Sequence, residues 1–234
     1  MTTLEMSEQL KSAVAAGRVH STGFLDSAPS AQLAARLRQE GVSYRAYSGV
    51  AGLPRRMITA FPDSQPDASK PLALLYIPFF SDRDFEEWCV RSPFDGDCFG
   101  SSLPHQEGLA VVVAQEHIDN MVGEFSGTRQ TPQVLTPDDI PSKSYQLQAI
   151  SAALRVDALG AKAFKVSRSY FAKGIANKKV FINGQLANKS SQAEPGDEIY
   201  AEGIGWCLLE DVTGKTKRGN ERVVLKVELT PKRY

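Results

Sequence analysis

The chain has little of what would mark an enzyme, a secreted protein or a membrane span. Its 234 residues hold three cysteines, Cys89, Cys98 and Cys207, with no CxxC pair among them. An odd, scattered set of thiols supplies neither a disulfide framework nor a thiolate metal site. The three histidines, His20, His105 and His117, stand at no metal-ligand spacing from the cysteines or from one another, so neither metal nor cofactor is expected. Cys89 and Cys207 each sit beside a tryptophan and read as small buried apolar residues. The most apolar run, 71–80, is too short to cross a bilayer and contains two prolines. The N-terminal MTTLEMSEQLKSAVAAGRV is polar and helical in pattern, without the apolar core of a signal peptide. The expectation is a soluble, cytoplasmic protein with no membrane insertion. Net charge is lacking too: 27 Lys and Arg balance 27 Asp and Glu.

That balance conceals a division. Residues 1–150 carry 12 basic and 18 acidic side chains, whereas 151–234 carry 15 basic and nine acidic. The positive charge is densest over 155–189, where eight Lys or Arg accompany a single acid, Asp157. A charge run is ordinarily a solvated face; one this dense on a short, well-patterned segment is the electrostatic footprint of a protein that meets phosphates.

The chain divides at polar, proline-bearing joints into parts at 1–65, 70–132 and 145–234. The first reads as a helix over 4–16, an STGFLD element, an amphipathic helix over Ala31–Glu40, and two strands in VSYRAYSG and GLPRRMITAF. DSQPDASKP (63–71) reads as a linker. The second part gives the strand LALLYIPF, a helix capped by Asp82, the turn-rich FDGDCFGSSLPHQEG, the strand GLAVVVAQ and the helix EHIDNMVGEF, a small α/β sandwich. Residues 127–144 read as a spacer without periodicity. In the third part, Leu147, Ile150, Leu154 and Val156 with their alanines predict a helix over 145–159. Ser167 caps a second helix, with Tyr170, Phe171 and Ile175 as its core contacts. KVFINGQLAN makes a hairpin across Asn183-Gly184, and 206–212 with 222–229 make a terminal one.

The third part resembles the S4 RNA-binding domain, two helices plus β-hairpins. The resemblance lies in Arg155-x-Asp157, Ser167-Arg168, Ile175, Lys179-Val180, Ile182-Asn183, Pro195-Gly196-Asp197, Ile199 and Gly203-x-Gly205. Two positions depart from the pattern. Asn177-Lys178 stands where glycine usually follows the second helix, Asn being able to take the left-handed conformation. Trp206 replaces a frequent arginine. Upstream, TGFLD (22–26), YSGVAGLPRRMITAFPD (47–63) and FDGDCF…GLAVVVAQEHIDNMV (94–122) look like the YlmH-type S4 proteins. The resemblance implies an α+β fold: an N-terminal α/β region, a central RRM-like sandwich and a C-terminal S4 domain. It also implies binding to structured rRNA or tRNA on the large (50S) ribosomal subunit, in translation or ribosome-associated quality control. Photosynthetic relatives are linked instead to photosystem II.

The residues chosen for RNA contact are long cations around the second helix. Arg168 comes first, because a helix N-terminus favours an anion and a guanidinium forks two phosphate oxygens; its alternative is a local salt bridge to Asp157. Ser167 caps that helix, and Lys165, Lys173, Lys178, Lys179 and Lys189 extend the patch. Arg155 reads as either an RNA contact or an internal tie to Asp157. Arg55, Arg56, Lys215, Lys217 and Arg218 are secondary RNA-binding choices. Tyr170 reads as core rather than as a base-stacking residue. GLAVVVAQ lacks exposed aromatics, so the central part is not expected to stack on single strands.

Against catalysis, the chain has no G-x-G-x-x-G, P-loop, HExxH or GxSxG. Asp95 and Asp97 with His105 are the best residual constellation, and Asp-Gly turns explain them more simply. The reading is non-enzymatic. Its alternatives are an RNA-modifying enzyme, or a photosystem-related S4 adaptor whose acidic N-terminal body holds a protein partner. A deep pocket with convergent polar groups in the central part would favour the enzyme.

Overall fold

The computed structural model describes residues 1–65, 71–125, 128–136 and 139–231. It is an α+β protein built on three antiparallel sheets. In the first part, α1 (Thr3–Ala15) starts at a capping box between Thr2 and Glu5. β1 (His20–Leu25), α2 (Ser27–Gln39), β2 (Tyr44–Tyr47) and β3 (Arg56–Ala60) follow, with sheet order β1-β3-β2. Leu10 of α1 and Leu33 and Leu37 of α2 bury against Ile58 of β3.

The central part runs β4 (Leu72–Pro78), α3 (Asp82–Arg91), β5 (Phe99–His105), β6 (Gly108–Ala114), α4 (Ile118–Glu124) and β7 (Gln133–Leu135). Its sheet order, β5-β6-β4-β7, is the split βαβ arrangement. One sheet face meets the helices through Leu75, Ile77, Val111, Val113 and Met121. The opposite face, Leu74, Ala110 and Val112, is covered by Phe24, Val50, Leu53 and Met57 from the first part. Both faces of β6 are therefore used up in core.

The third part has β8 (Lys143–Ser151), α5 (Val156–Ala163), α6 (Arg168–Ala176), β9 (Val180–Ile182), β10 (Gln185–Leu186), β11 (Glu198–Ala201), β12 (Gly205–Lys215) and β13 (Glu221–Leu229). They form one six-stranded sheet, β10-β9-β11-β12-β13-β8. The Asn183-Gly184 hairpin is present, both residues taking positive φ (48° and 73°).

Several expectations need correction. Residues 145–159 are not one helix: β8 occupies 143–151 and pairs along its length with β13, and α5 begins only at Val156. Tyr145, Leu147 and Ala149 face the core at period two, while Gln146, Gln148 and Ile150 face out. The 127–144 spacer contains β7, paired with β4, and the start of β8; its residues 127, 137 and 138 lie outside the described residues, as do 66–70 of the 63–71 linker. FDGDCFGSSLPHQEG holds β5. Ser81, not Asp82, caps α3, its hydroxyl accepting from the Asp84 amide at 3.2 Å. The left-handed residue after α6 is Lys178 (φ 59°), whereas Asn177 stays at φ −84°.

Candidate nucleic-acid interface

The geometry begins with how α5 and α6 approach. At Gly160 an added Cβ would lie 2.1 Å from the Phe171 ring, so only glycine admits this packing. The Phe164 and Phe171 rings stack at 5.8 Å beneath it. That close crossing brings the first turn of α5, with Asp157, to the first turn of α6, with Arg168.

There two arginines fork one carboxylate. Arg155 donates from Nε and Nη2 to the two Asp157 oxygens at 3.0 and 3.2 Å, and Arg168 does the same at 3.0 and 3.3 Å. Burial works against a charged Asp157, but the hydrogen bonds and charges of Arg155 and Arg168 outweigh it and hold the carboxyl below the ordinary carboxylate range. Arg155 also donates to the Lys189 carbonyl at 2.8 Å. So Arg155 and Arg168 both take the local tie to Asp157. The tie does not hide Arg168, whose side chain stays 58% exposed. A guanidinium bonded along one edge still presents N–H donors on the other, in an orientation fixed before any phosphate arrives.

Lys165 precedes α6, Lys173 lies within it, Lys178 and Lys179 follow its end, and Lys189 is tied to Arg155 through its carbonyl; all five side chains are exposed. Among the described residues none of the five has an ion-pair partner. Lys165 lies 4.7 Å over the Tyr145 ring, and the Tyr145 hydroxyl donates to the Ala163 carbonyl at the end of α5. Ser167 spends its hydroxyl on the α6 N-terminus, accepting from the Tyr170 amide at 3.1 Å. Both helices end with a lysine at positive φ, Lys165 (54°) and Lys178 (59°), where glycine is the low-strain residue. The α6 end is closed by Lys178 N–H to Ile175 O and Lys179 N–H to Gly174 O, both 3.0 Å. Lysine at two such positions retains a cation on the rim at a backbone cost.

The secondary choices separate. Lys215 pairs with Glu221 at 3.1 Å, and Lys217 and Arg218 are exposed at the tip of the β12–β13 hairpin. Because Glu221 is opposite Ser151, that tip is at the end of the sheet where β8 leads toward Arg155. Arg55 and Arg56, in contrast, face inward. Arg55 donates to the carbonyls of Gly96, Phe99 and Phe24 and pairs with Asp26. Arg56 is 5% exposed, meets both Glu198 oxygens at 3.0 and 2.8 Å, and lies 3.5 Å over the Trp206 ring. Neither has a guanidinium to offer a phosphate. They tie the parts of the molecule together.

Sequence reasoning missed two features. Trp206 appeared as a lost arginine at the start of a strand, with no partner named; it is 4% exposed and donates from Nε1 to the Leu53 carbonyl at 3.0 Å, anchoring the third part on the first. Tyr170, assigned to the core, is 57% exposed. The signal for it was available, because the apolar stripe of α6 is Phe171–Ile175, whereas Tyr170 shares a face with Lys173, Gly174 and Asn177.

A cleft of about 630 Å³ lies between β1 and the turns around Asp97 and Glu116. It gathers His20, Asp95, Asp97, Cys98 and His117; His105 instead packs edge-on against Tyr76. Burial, then the neighbouring Asp97, raises the Cys98 thiol, and burial alone pushes Cys207 up to about 12. Such thiols are poor nucleophiles at neutral pH.

No family model matches this chain, and no curated protein matches it in sequence. Among solved structures, the cell division protein ylmH from Streptococcus pneumoniae is similar in fold, with a TM-score of 0.50 at 10% identity, over 57% of this chain and 88% of that one. At that identity the likeness is one of fold alone. Among the described residues, no helix is long and apolar enough to cross a membrane.

Proposed function

We propose that this chain is a non-enzymatic RNA-binding protein that holds structured rRNA or tRNA through the α5–α6 surface of its third part, read as an S4 domain. On this reading it works in the cytoplasm on the large ribosomal subunit, in translation or ribosome-associated quality control, without a cofactor, and its parts are 1–65, 70–132 and 145–234. The observation that carries it is the Arg155–Asp157–Arg168 trio at the start of α5 and α6, on a segment that also exposes five lysines without ion-pair partners among the described residues. Fixed guanidinium forks with exposed ammonium groups on the same segment suit phosphates arrayed by RNA shape.

A second reading has an observation of its own. Residues 79–124 hold ten acids and only two arginines. Such a surface is repelled by RNA and suits a protein partner, as the adaptor alternative requires. The two readings can coexist, with RNA on one part and protein on another.

The test is co-sedimentation with purified 30S and 50S particles, comparing the wild type with Arg168→Ala/Lys173→Ala. Saturable binding to 50S that the double variant loses supports the reading. Equal sedimentation of both proteins, or none with either particle, removes the ribosomal assignment.

A further inference from the structure

The side of α6 that carries Tyr170, Lys173, Gly174 and Asn177 does not pack on α5. It forms one wall of a separate cleft of about 290 Å³, whose other wall is the start of β9 and the β11–β12 turn. We infer that this cleft receives a single unpaired base extruded from the bound RNA. The inference rests on the RNA-binding reading above and specifies the kind of RNA it selects.

Four observations point to a base. The interior of the cleft is apolar, built from Phe171, Val180 and Ala201, each at most 2% exposed. A large aromatic ring, Tyr170, stands more than half exposed at its edge, and its hydroxyl has no hydrogen-bond partner among the described residues. Lys173, Lys179 and Glu202 line the cleft, so its charged lining is net positive and suits the phosphates of an extruded nucleotide. The space is also not demanded by packing. A Cβ on Gly174 would meet only Val180, at 3.4 Å, an ordinary contact, although alanine is a better helix former. Glycine here leaves the cleft open without being required by the fold. Stacking on an aromatic face with cations at the phosphates is how unpaired bases are held. An apolar protein side chain would find the ring and the floor but would have no use for the lysines.

The experiment uses two labelled RNA hairpins of identical stem, one fully paired and one with a single bulged adenosine, titrated with the full chain. The variants are Tyr170→Ala, Tyr170→Phe and Gly174→Leu, the last projecting into the cleft from a position whose Cβ the fold accommodates; thermal melts check that each variant is folded. The wild type should prefer the bulged hairpin by about tenfold. Tyr170→Ala and Gly174→Leu should lose that preference while binding the paired hairpin as before, and Tyr170→Phe should keep it. Equal wild-type affinity for the two hairpins overturns the inference and leaves the RNA-binding reading intact. So does retention of the preference by Tyr170→Ala and Gly174→Leu, which would leave the cleft to a protein side chain. Failure of the wild type to bind either hairpin removes both.

Discussion

Asp157 is the one acid in the basic segment and the residue that orders it. Without it, Arg155 and Arg168 would be two flexible cations repelling each other across α5 and α6. With it, both guanidinium groups are fixed at the cost of one positive charge. Asp157→Asn should destabilise the fold by about 2 kcal/mol, less than a fully buried pair would cost, because both arginines can turn to water. The folded protein holds this carboxyl below its unfolded value, ordinarily near 3.9. Its contribution is therefore complete above about pH 4 and is lost as pH falls through the folded value. Urea melts of the wild type and Asp157→Asn should differ at pH 7, and the difference should shrink as the pH is taken below the unfolded value; a difference that persists until the protein unfolds in acid would show that the carboxylate's charge is not what stabilises.

At the scale of the element, the ends of α5 and α6 set stability against charge. Lys178 stands in the conformation that glycine tolerates best, so Lys178→Gly should leave stability unchanged or raise it, by up to about 1 kcal/mol, while weakening RNA affinity. Denaturant melts and RNA titrations on the same samples check both signs. A large loss of stability would mean that the lysine side chain packs rather than binds. This lysine was legible in the sequence as a departure from the resemblance, but not its left-handed backbone, which was assigned to Asn177. β8 was less legible still. Ala149, Ala152 and Ala153 are strong helix formers, and Ile150 faces outward, so a helical pattern fitted the run. Pairing with β13 overrides that propensity, and pairing between distant segments is not written in local periodicity. The hairpin at Asn183-Gly184 was readable because its turn is specified by two adjacent residues.

For the whole molecule, the junction between the first and third parts matters most. Gly52, at φ 83°, lies so close to Leu229 that a Cβ would sit 2.2 Å from its backbone, and the Thr230 hydroxyl donates to the Gly52 carbonyl. Arg56 bridges Glu198 and Trp206, and Arg38 reaches Asp197 at 2.9 Å. The turn side of the third part is thus held against α2, where Gln32 also donates to the Gly184 carbonyl. Glu198→Gln should leave Arg56 buried without its counter-charge and cost about 3 kcal/mol. Calorimetry should then show the third part melting apart from the rest, where the wild type melts in one transition; a single unshifted transition in the variant would show that the modules are held by other contacts. None of this could be read from the sequence, because Arg56 is 142 residues from Glu198 and farther still from Trp206, and each has a more ordinary role as a surface charge or a core aromatic.

The most direct test of the account is the salt dependence of binding to a structured RNA hairpin, measured by anisotropy from about 50 to 200 mM salt. With roughly four phosphate contacts, wild-type affinity should fall on the order of a hundredfold over that range. Arg168→Ala/Lys173→Ala should bind more weakly at every salt and lose about two from the slope of log affinity against log salt. If the double variant matched the wild type in both affinity and slope, RNA would not be held by the α5–α6 surface, and the central claim would fail.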